Sequence, residues 1–239
     1  MKHKQTQRKL LFSLVTIIFL FITFNLFKLN AYRLSWNQAN AKDAPIEKVL
    51  TGQTIVIDAG HGGRDAGSIG QNETLEKDVT LKLVKQIESE LKIRTGATII
   101  LTRDGDEKIE LGDRVKIAEE NNADLFVSIH FDAFFTNDAE GITTYYYKES
   151  DQQLASLIHE HLFKTGLEAR NRGINTGDYT VLSENSQPSL LLELGYISNE
   201  KDEARINSEQ FHADTAKNIV GGMIDYLSPS SPVKGSYRD

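Results

Sequence analysis

The chain has 239 residues, enough for one domain of roughly 170–180 residues with terminal appendages. It contains no cysteine, which excludes disulfides, thiolate metal sites and a cysteine nucleophile, so a bound metal must use His, Asp or Glu. Its formal net charge is −7. Residues 1–28 hold five Lys and Arg and no acid, so the rest of the chain has 22 basic and 34 acidic residues and a formal net charge of −12. Such a surface repels nucleic acid, so we expect no nucleic-acid partner.

The N-terminal region is typical of an exported protein. Basic residues mark segment 1–9, and the 18 residues of segment 10–27 carry no charge and nearly span a bilayer core of roughly 30 Å. This charge asymmetry predicts a cytoplasmic N-terminus, with everything after Lys28 outside. We expect 10–27 to be an uncleaved transmembrane signal-anchor in the cell membrane. The alternative is a cleaved signal peptide, with "ANA" at 39–41 as the only candidate site, and a secreted protein.

Beyond the N-terminal region the chain alternates predicted strands and helices. Residues 28–53 predict a polar linker, 54–227 a folded domain, and the Pro/Ser-rich residues 228–239 a disordered tail. Apolar runs predict strands at 54–58, 97–103, 124–130, 142–148, 179–182 and 189–194. Apolar residues at helical spacing predict helices around 76–93, 111–118, 154–162 and 219–226. This order favours an α/β fold with a largely parallel or mixed sheet and helices on both faces.

The loop "DAGHGGRDAGSIG", residues 58–70, follows the first predicted strand and is rich in glycine. The dinucleotide fingerprint requires a third glycine where Asp65 stands, and no G-K-[ST] supplies a Walker lysine. The acidic Asp65 would also repel phosphate, so we expect no nucleotide ligand. The other candidate in this loop is His61, a possible metal ligand that has glycines on both sides and stands at the carboxyl end of a strand, where open α/β sheets place their sites. A solitary loop histidine is nevertheless more often structural.

Three further residues are candidates to share a site with His61. His130 ends the third predicted strand, so the two histidines would converge if their strands were neighbours in a parallel sheet. Glu76 begins the first helix, where it either compensates the helix dipole or binds a metal; the sequence leaves both readings open. Glu193 alternates with leucines in an apolar strand, where burial would raise its pKa and suit it to general acid/base catalysis. Two histidines, a carboxylate and a further glutamate are typical of a hydrolytic zinc site.

The other histidines fit this pattern poorly. His159 and His161 stand two residues apart and would point to different faces of a helix, whereas helical zinc pairs are spaced by four. His161 falls on an apolar stripe and is expected to pack, and we expect His212 and His3 to be incidental. No G-x-S-x-G elbow accompanies Ser128, so we do not expect a serine triad.

In their order along the chain, several motifs resemble those of a known enzyme family. The motifs are "IVIDAGHGG", "LEKDVTL", "LGDRVKIAEENNADLFVSIHFDA", "NRGI" and "PSLLLELGYISNEKDE". Through them, residues 54–227 resemble the zinc-dependent N-acetylmuramoyl-L-alanine amidases of the Amidase_3 type. The resemblance implies a single domain with a central, roughly six-stranded mixed sheet flanked by helices. It also implies that a zinc-activated water hydrolyses the amide bond between N-acetylmuramic acid and L-alanine of peptidoglycan, in cell-wall remodelling or turnover.

The resemblance further implies roles for four residues of this chain. His61, Glu76 and His130 would bind Zn²⁺, and Glu193 would be the catalytic glutamate. We expect a monomeric catalytic domain whose substrate is peptidoglycan and whose access to it relies on the membrane tether. Two other hypotheses stay open: a catalytically silent wall-binding protein that retains the fold, and a zinc peptidase that cuts within stem peptides.

Overall fold

The computed structural model describes residues 49–164 and 166–228. The strands in this part are β1 (Thr54–Ala59), β2 (Thr98–Leu101), β3 (Leu125–Asp132), β4 (Ile142–Tyr146), β5 (Asn171–Thr176) and β6 (Ser189–Tyr196). The α-helices there are α1 (Glu76–Arg94), α2 (Leu111–Glu120), α3 (Gln152–Phe163), α4 (Thr180–Ser183), α5 (Glu200–Ile206) and α6 (Glu209–Leu227). Strands and helices therefore alternate over most of the chain, as the sequence predicts.

The strands form one six-stranded sheet in the order β2-β1-β3-β6-β4-β5. Strands β2, β1, β3 and β6 run parallel to one another, whereas β4 is antiparallel to β6 and parallel to β5. The prediction of a single α/β domain with a six-stranded mixed sheet is thus confirmed. Because β1, β3 and β6 run in the same direction, the residues at their carboxyl ends meet at one edge of the sheet.

Side-chain alternation along the strands divides the core between the two faces of the sheet. Leu125, Val127 and Ile129 of β3 enter a large cluster with residues of α1, α3 and α6. Phe126 faces the other side, in a smaller cluster with residues of α2 and α4. Successive strand residues point to opposite faces, so His130 and Ser128 lie on the side of Phe126. Helices cover both faces, as predicted.

One predicted strand is absent from the structure, and one observed strand was not predicted. The strand predicted at 179–182 is wrong: Thr180–Ser183 is the short helix α4, whose Val181 and Leu182 pack into the smaller core. The missing strand is β5, Asn171–Thr176, an edge strand whose residues are exposed or half-buried. An exposed edge strand has little apolar alternation to reveal it.

Helix α5 also has no apolar pattern in the sequence. Its first turn is acidic, and Asn199 caps it by accepting hydrogen bonds from the backbone of Lys201 and Asp202. A capping side chain and favourable dipole charges stabilise this short helix without the periodicity that identifies longer ones.

The predicted basic segment 1–9, the anchor 10–27, most of the linker 28–53 and nearly all of the tail 228–239 lie outside the described residues. In the part of the chain that is described, none of the helices combines the length and apolar character needed to cross a bilayer.

Candidate metal centre

The glycine-rich loop after β1 brings backbone and side chains unusually close together. A Cβ atom on Gly60 would lie 2.4 Å from Cε1 of His130, and one on Gly67 would lie 2.6 Å from Cδ2 of His61. Gly67 also has a φ of 67°, in the region that favours glycine. His61 itself has a φ of 60°, which is uncommon for a residue with a side chain. The glycines therefore make room for the two imidazoles rather than for a phosphate.

The two predicted histidines converge because β1 and β3 are parallel neighbours, with Ala59 opposite Ile129. The ring centroids of His61 and His130 are 4.9 Å apart, with the rings nearly perpendicular. Glu76 lies between them: its Oε1 is 3.1 Å from Nε2 of His61 and 3.0 Å from Nδ1 of His130. One ligand atom from each residue lies within 4.8 Å of the other two. Three of the four predicted site residues thus form one cluster.

The carboxylate of Glu76 is held by the backbone as well as by the histidines. Its Oε1 accepts a hydrogen bond from the backbone of Phe131 at 3.0 Å, and its Oε2 from that of Ser68 at 2.8 Å. Burial raises the pKa of Glu76, but the hydrogen bonds from His130 and His61 outweigh burial and hold that pKa well below its usual range. Glu76 does begin α1, as dipole compensation requires, yet its carboxylate points into the histidine cluster.

A carboxylate behind His61 orients the imidazole. Nδ1 of His61 is 3.1 Å from Oδ2 of Asp65, whose Oδ1 accepts a hydrogen bond from the backbone of Gly67 at 3.1 Å. Burial lowers the pKa of His61, but its contacts with Glu76 and Asp65 outweigh burial and raise it. With Nδ1 engaged by Asp65, Nε2 faces Glu76 and His130. The sequence places Asp65 where a nucleotide fingerprint fails, but it does not reveal this contact.

Replacing Asp65 with alanine is expected to weaken metal binding about 10–100-fold, because outer carboxylates fix the tautomer and basicity of ligating histidines. Competition titration with a chromogenic chelator measures the affinity. The control is Glu209→Ala, which removes an exposed carboxylate at the start of α6. Equal affinities for the Asp65→Ala and unaltered proteins would show that Asp65 does not support the ligand.

Glu193 reaches the same site from β6. It pairs in register with His130, and its residue is only 8% exposed. Burial raises the pKa of Glu193 well above its usual value, and the negative charges of Glu76 and Asp132 raise it further. Its Oε2 is buried and has no hydrogen-bond partner among the described residues. The prediction of a buried carboxylate in this strand is confirmed.

Glu193 and the cluster line one cavity of about 750 Å³. Its walls include His61, Glu76, His130, Glu193, Asp132 and Tyr179. Two imidazole nitrogens and a carboxylate oxygen are a donor set that Zn²⁺ accepts, and three protein ligands leave a coordination position open for catalysis. The orphaned Oε2 of Glu193 in the same cavity supplies a polar group without a protein partner. The residues present therefore fit a catalytic metal centre.

Arg114 of α2 fixes the loop that carries His61. Its guanidinium forms a buried ion pair with Asp58 and donates hydrogen bonds to the carbonyl oxygens of Ala59 at 2.7 Å and His61 at 2.8 Å. Asp58 also accepts hydrogen bonds from the hydroxyls of Thr102 and Ser128, at 2.6 Å each. The sequence could have indicated that Asp58 needs a buried partner, because Asp58, like Glu193, is a carboxylate in an otherwise apolar strand.

The remaining described histidines have structural contacts. His161 is buried, as expected for a packed residue, and its Nε2 hydrogen-bonds to Oδ2 of Asp225 at 2.8 Å. His159 bridges Thr144 and Asn171, and Nε2 of His212 donates to the carbonyl of Ile206. His3 lies outside the described residues.

The six-stranded sheet and the His-Glu-His cluster at its edge define the class of protein, an α/β protein with a candidate metal centre. Residues 55–225 match the family Amidase_3, described as N-acetylmuramoyl-L-alanine amidase. The chain is 38% identical over 181 residues to the probable cell wall amidase LytH of Staphylococcus epidermidis, which covers 75% of this chain and 60% of LytH. The chain thus spans 60% of the length of the LytH relatives that it matches.

Solved amidase structures share the fold. The catalytic domain of CwlV from Bacillus (Paenibacillus) polymyxa superposes with a TM-score of 0.71 at 37% identity, covering 73% of this chain and 98% of that domain. AmiC2 of Nostoc punctiforme also gives a TM-score of 0.71 at 37% identity, covering 74% of this chain and 98% of that chain. The chain belongs to the Amidase_3 family.

Proposed function

We propose that this chain is an N-acetylmuramoyl-L-alanine amidase that hydrolyses the amide bond between N-acetylmuramic acid and L-alanine of peptidoglycan. The observation that carries the proposal is the cluster of His61, Glu76 and His130, with Glu193 in the same cavity. Membership of the Amidase_3 family supports this choice of bond. We assign the three clustered residues as metal ligands and Glu193 as the general acid/base.

We propose Zn²⁺ as the metal, because two imidazoles and a carboxylate with an open position are the ligand set of hydrolytic zinc sites. When bound, Zn²⁺ supplies a Lewis acid that polarises the amide carbonyl and lowers the pKa of water. Asp65 holds the His61 ring so that Nε2 faces the other ligands. The backbone of Ser68 and Phe131 holds the Glu76 carboxylate in the same way.

Glu193 moves the proton in this scheme. Its carboxylate takes a proton from the attacking water as the water oxygen bonds to the carbonyl carbon. The protonated carboxyl then gives that proton to the amide nitrogen as the C–N bond breaks, which releases a lactyl carboxylic acid and the amine of L-alanine. Burial, which raises the pKa of Glu193, favours the step in which the carboxyl holds the proton before transfer.

Digestion of purified peptidoglycan by the full chain, followed by mass spectrometry, tests the proposal. We expect released peptides with a free L-alanine N-terminus and intact sugar chains, and no release after the metal is removed with a chelator. Cleavage between two amino acids would instead identify a peptidase. Stoichiometric metal without any release would identify a wall-binding protein.

We also propose that residues 54–227 form the catalytic domain outside the cytoplasmic membrane, tethered by an anchor at 10–27 and a linker at 28–53. The basic segment 1–9 followed by 18 uncharged residues supports this orientation. Protease treatment of intact cells after wall removal tests it. Protection of the domain from the protease would contradict the proposed orientation.

A further inference from the structure

Arg172 lies on β5, the outermost strand of the sheet, and is exposed. Its guanidinium lies over the ring of Tyr196, 5.1 Å from the ring centroid, and Nη1 donates to the carbonyl oxygen of Glu140 at 3.3 Å. No carboxylate of residues 49–164 or 166–228 forms an ion pair with it. The cation is therefore held in place by an aromatic ring and a carbonyl, neither of which neutralises its charge.

A short chain of contacts links Arg172 to the active-site cavity. Tyr196 of β6 pairs in register with Asp132 of β3, and Asp132 lines the cavity with Glu193. Tyr196 itself is buried, at 6% exposure, so its ring is a fixed support for the guanidinium. Arg172 thus stands one aromatic residue away from the cavity wall.

Two more tyrosines, Tyr145 and Tyr179, lie between β5 and the part of the cavity that contains Glu193. The rings of Tyr145 and Tyr179 meet edge to face, with centroids 5.2 Å apart. Tyr179 lines the cavity with Glu193, and Tyr145 pairs in register with Asn175 of β5. Tyrosine rings therefore lie between the cavity, which Tyr179 lines, and β5, the strand that carries Arg172.

The charges of the residues around the cavity indicate that Arg172 would bind an anionic group of the substrate. Lys108 and Arg114 also line the cavity, but Lys108 is paired with Glu110 and Arg114 with Asp58. Since acidic residues also line the cavity, an anionic substrate group would be repelled without an unpaired cation. A guanidinium has five N–H donors and can bind a carboxylate through two parallel hydrogen bonds, and among the described residues Glu140 engages only Nη1 of Arg172.

We propose that Arg172 binds a free carboxylate on the peptide stem of the substrate, close to the L-alanine whose nitrogen leaves. The inference rests on the proposed amidase function. Arg172 is a specificity residue in this scheme: it makes the enzyme prefer stems whose second residue, D-glutamate, keeps its α-carboxylate over stems in which that group is amidated.

Matched synthetic substrates test this inference. They are N-acetylmuramoyl-L-alanyl peptides with either D-glutamate or its α-amide at the second position. For the unaltered full chain we expect kcat/KM to be about 10–100-fold higher for the acid than for the amide, as a charge-assisted bond implies. In Arg172→Gln the ratio is expected to fall to about 2 or less, through a higher KM for the acid. Arg172→Lys should restore part of the preference.

The matched control is Arg170→Gln, an exposed arginine two residues earlier that lines a different cavity and should keep the full ratio. An unaltered protein without preference, or a ratio that survives in Arg172→Gln, would overturn the inference. So would an equal loss in Arg170→Gln.

A binding measurement separates this inference from the proposed function. Calorimetric titration of the Glu193→Gln protein with both substrates reports the preference without hydrolysis, and we expect the same ratio in Kd. If neither substrate is hydrolysed by the unaltered chain, the amidase proposal fails. The two Kd values then test the carboxylate site by themselves: a lower Kd for the acid supports it, and equal values for the acid and the amide would overturn it.

Discussion

Replacing Glu193 with glutamine is expected to lower kcat for peptidoglycan hydrolysis about 10²–10⁴-fold, the range for loss of a general acid/base. The side chain keeps its size but can no longer accept and return a proton. Because Glu193 is not one of the three clustered ligands, the variant should still bind the metal. Release of stem peptides, followed over time by chromatography, measures the rate.

The matched control for this variant is Glu184→Gln, an exposed glutamate that follows helix α4. We expect its rate to stay within about twofold of the unaltered protein, since surface changes have small effects. A near-normal rate for Glu193→Gln would show that another group carries the proton.

Replacing Arg114 with methionine is expected to reduce the free energy of unfolding by about 3–5 kcal/mol. Arg114 and Asp58 have side-chain exposures of 4% and 0%, so the substitution leaves a buried carboxylate without its cation. It also removes the donors to the carbonyl oxygens of Ala59 and His61. Urea denaturation, with linear extrapolation to zero denaturant, measures the loss.

Lys116→Met on the same helix is the matched control. Lys116 is 64% exposed and forms only a long surface pair with Glu120, at 3.7 Å. Exposed pairs of this kind contribute little, so the control should lose no more than about 0.5–1 kcal/mol. A loss of similar size in both variants would contradict a special role for the buried pair of Arg114 and Asp58.

The sequence alone predicted the residues whose position depends on local pattern and strand direction. His61 follows one apolar strand and His130 ends another, and parallel strands bring their carboxyl ends to one edge. Glu193 was visible because a carboxylate inside a leucine-rich strand requires an explanation. The sequence pattern left the position of Glu76 open, since the first residue of a helix can serve the dipole or a ligand equally well.

Contacts made across the tertiary structure were not predictable in this way. The exposed edge strand β5 lacks the apolar alternation that marks buried strands, so no strand was predicted around Arg172 and its position in the sheet could not be predicted either. Its approach to Tyr196 depends on the order β6-β4-β5 and on a register shift between β4 and β5. Asp65 is four residues from His61, but its contact follows from the turn at Gly62 rather than from a helical spacing.

The metal content of the purified protein tests the central claim, that His61, Glu76 and His130 form a zinc centre, most directly. We expect elemental analysis to find about one zinc per chain in the unaltered protein and in Glu193→Gln, because three ligands hold a single ion. His61→Ala and His130→Ala should retain the circular dichroism of the fold but bind almost no zinc. Equimolar zinc in either histidine variant, or none in the unaltered chain after purification in the presence of zinc, would contradict the assignment.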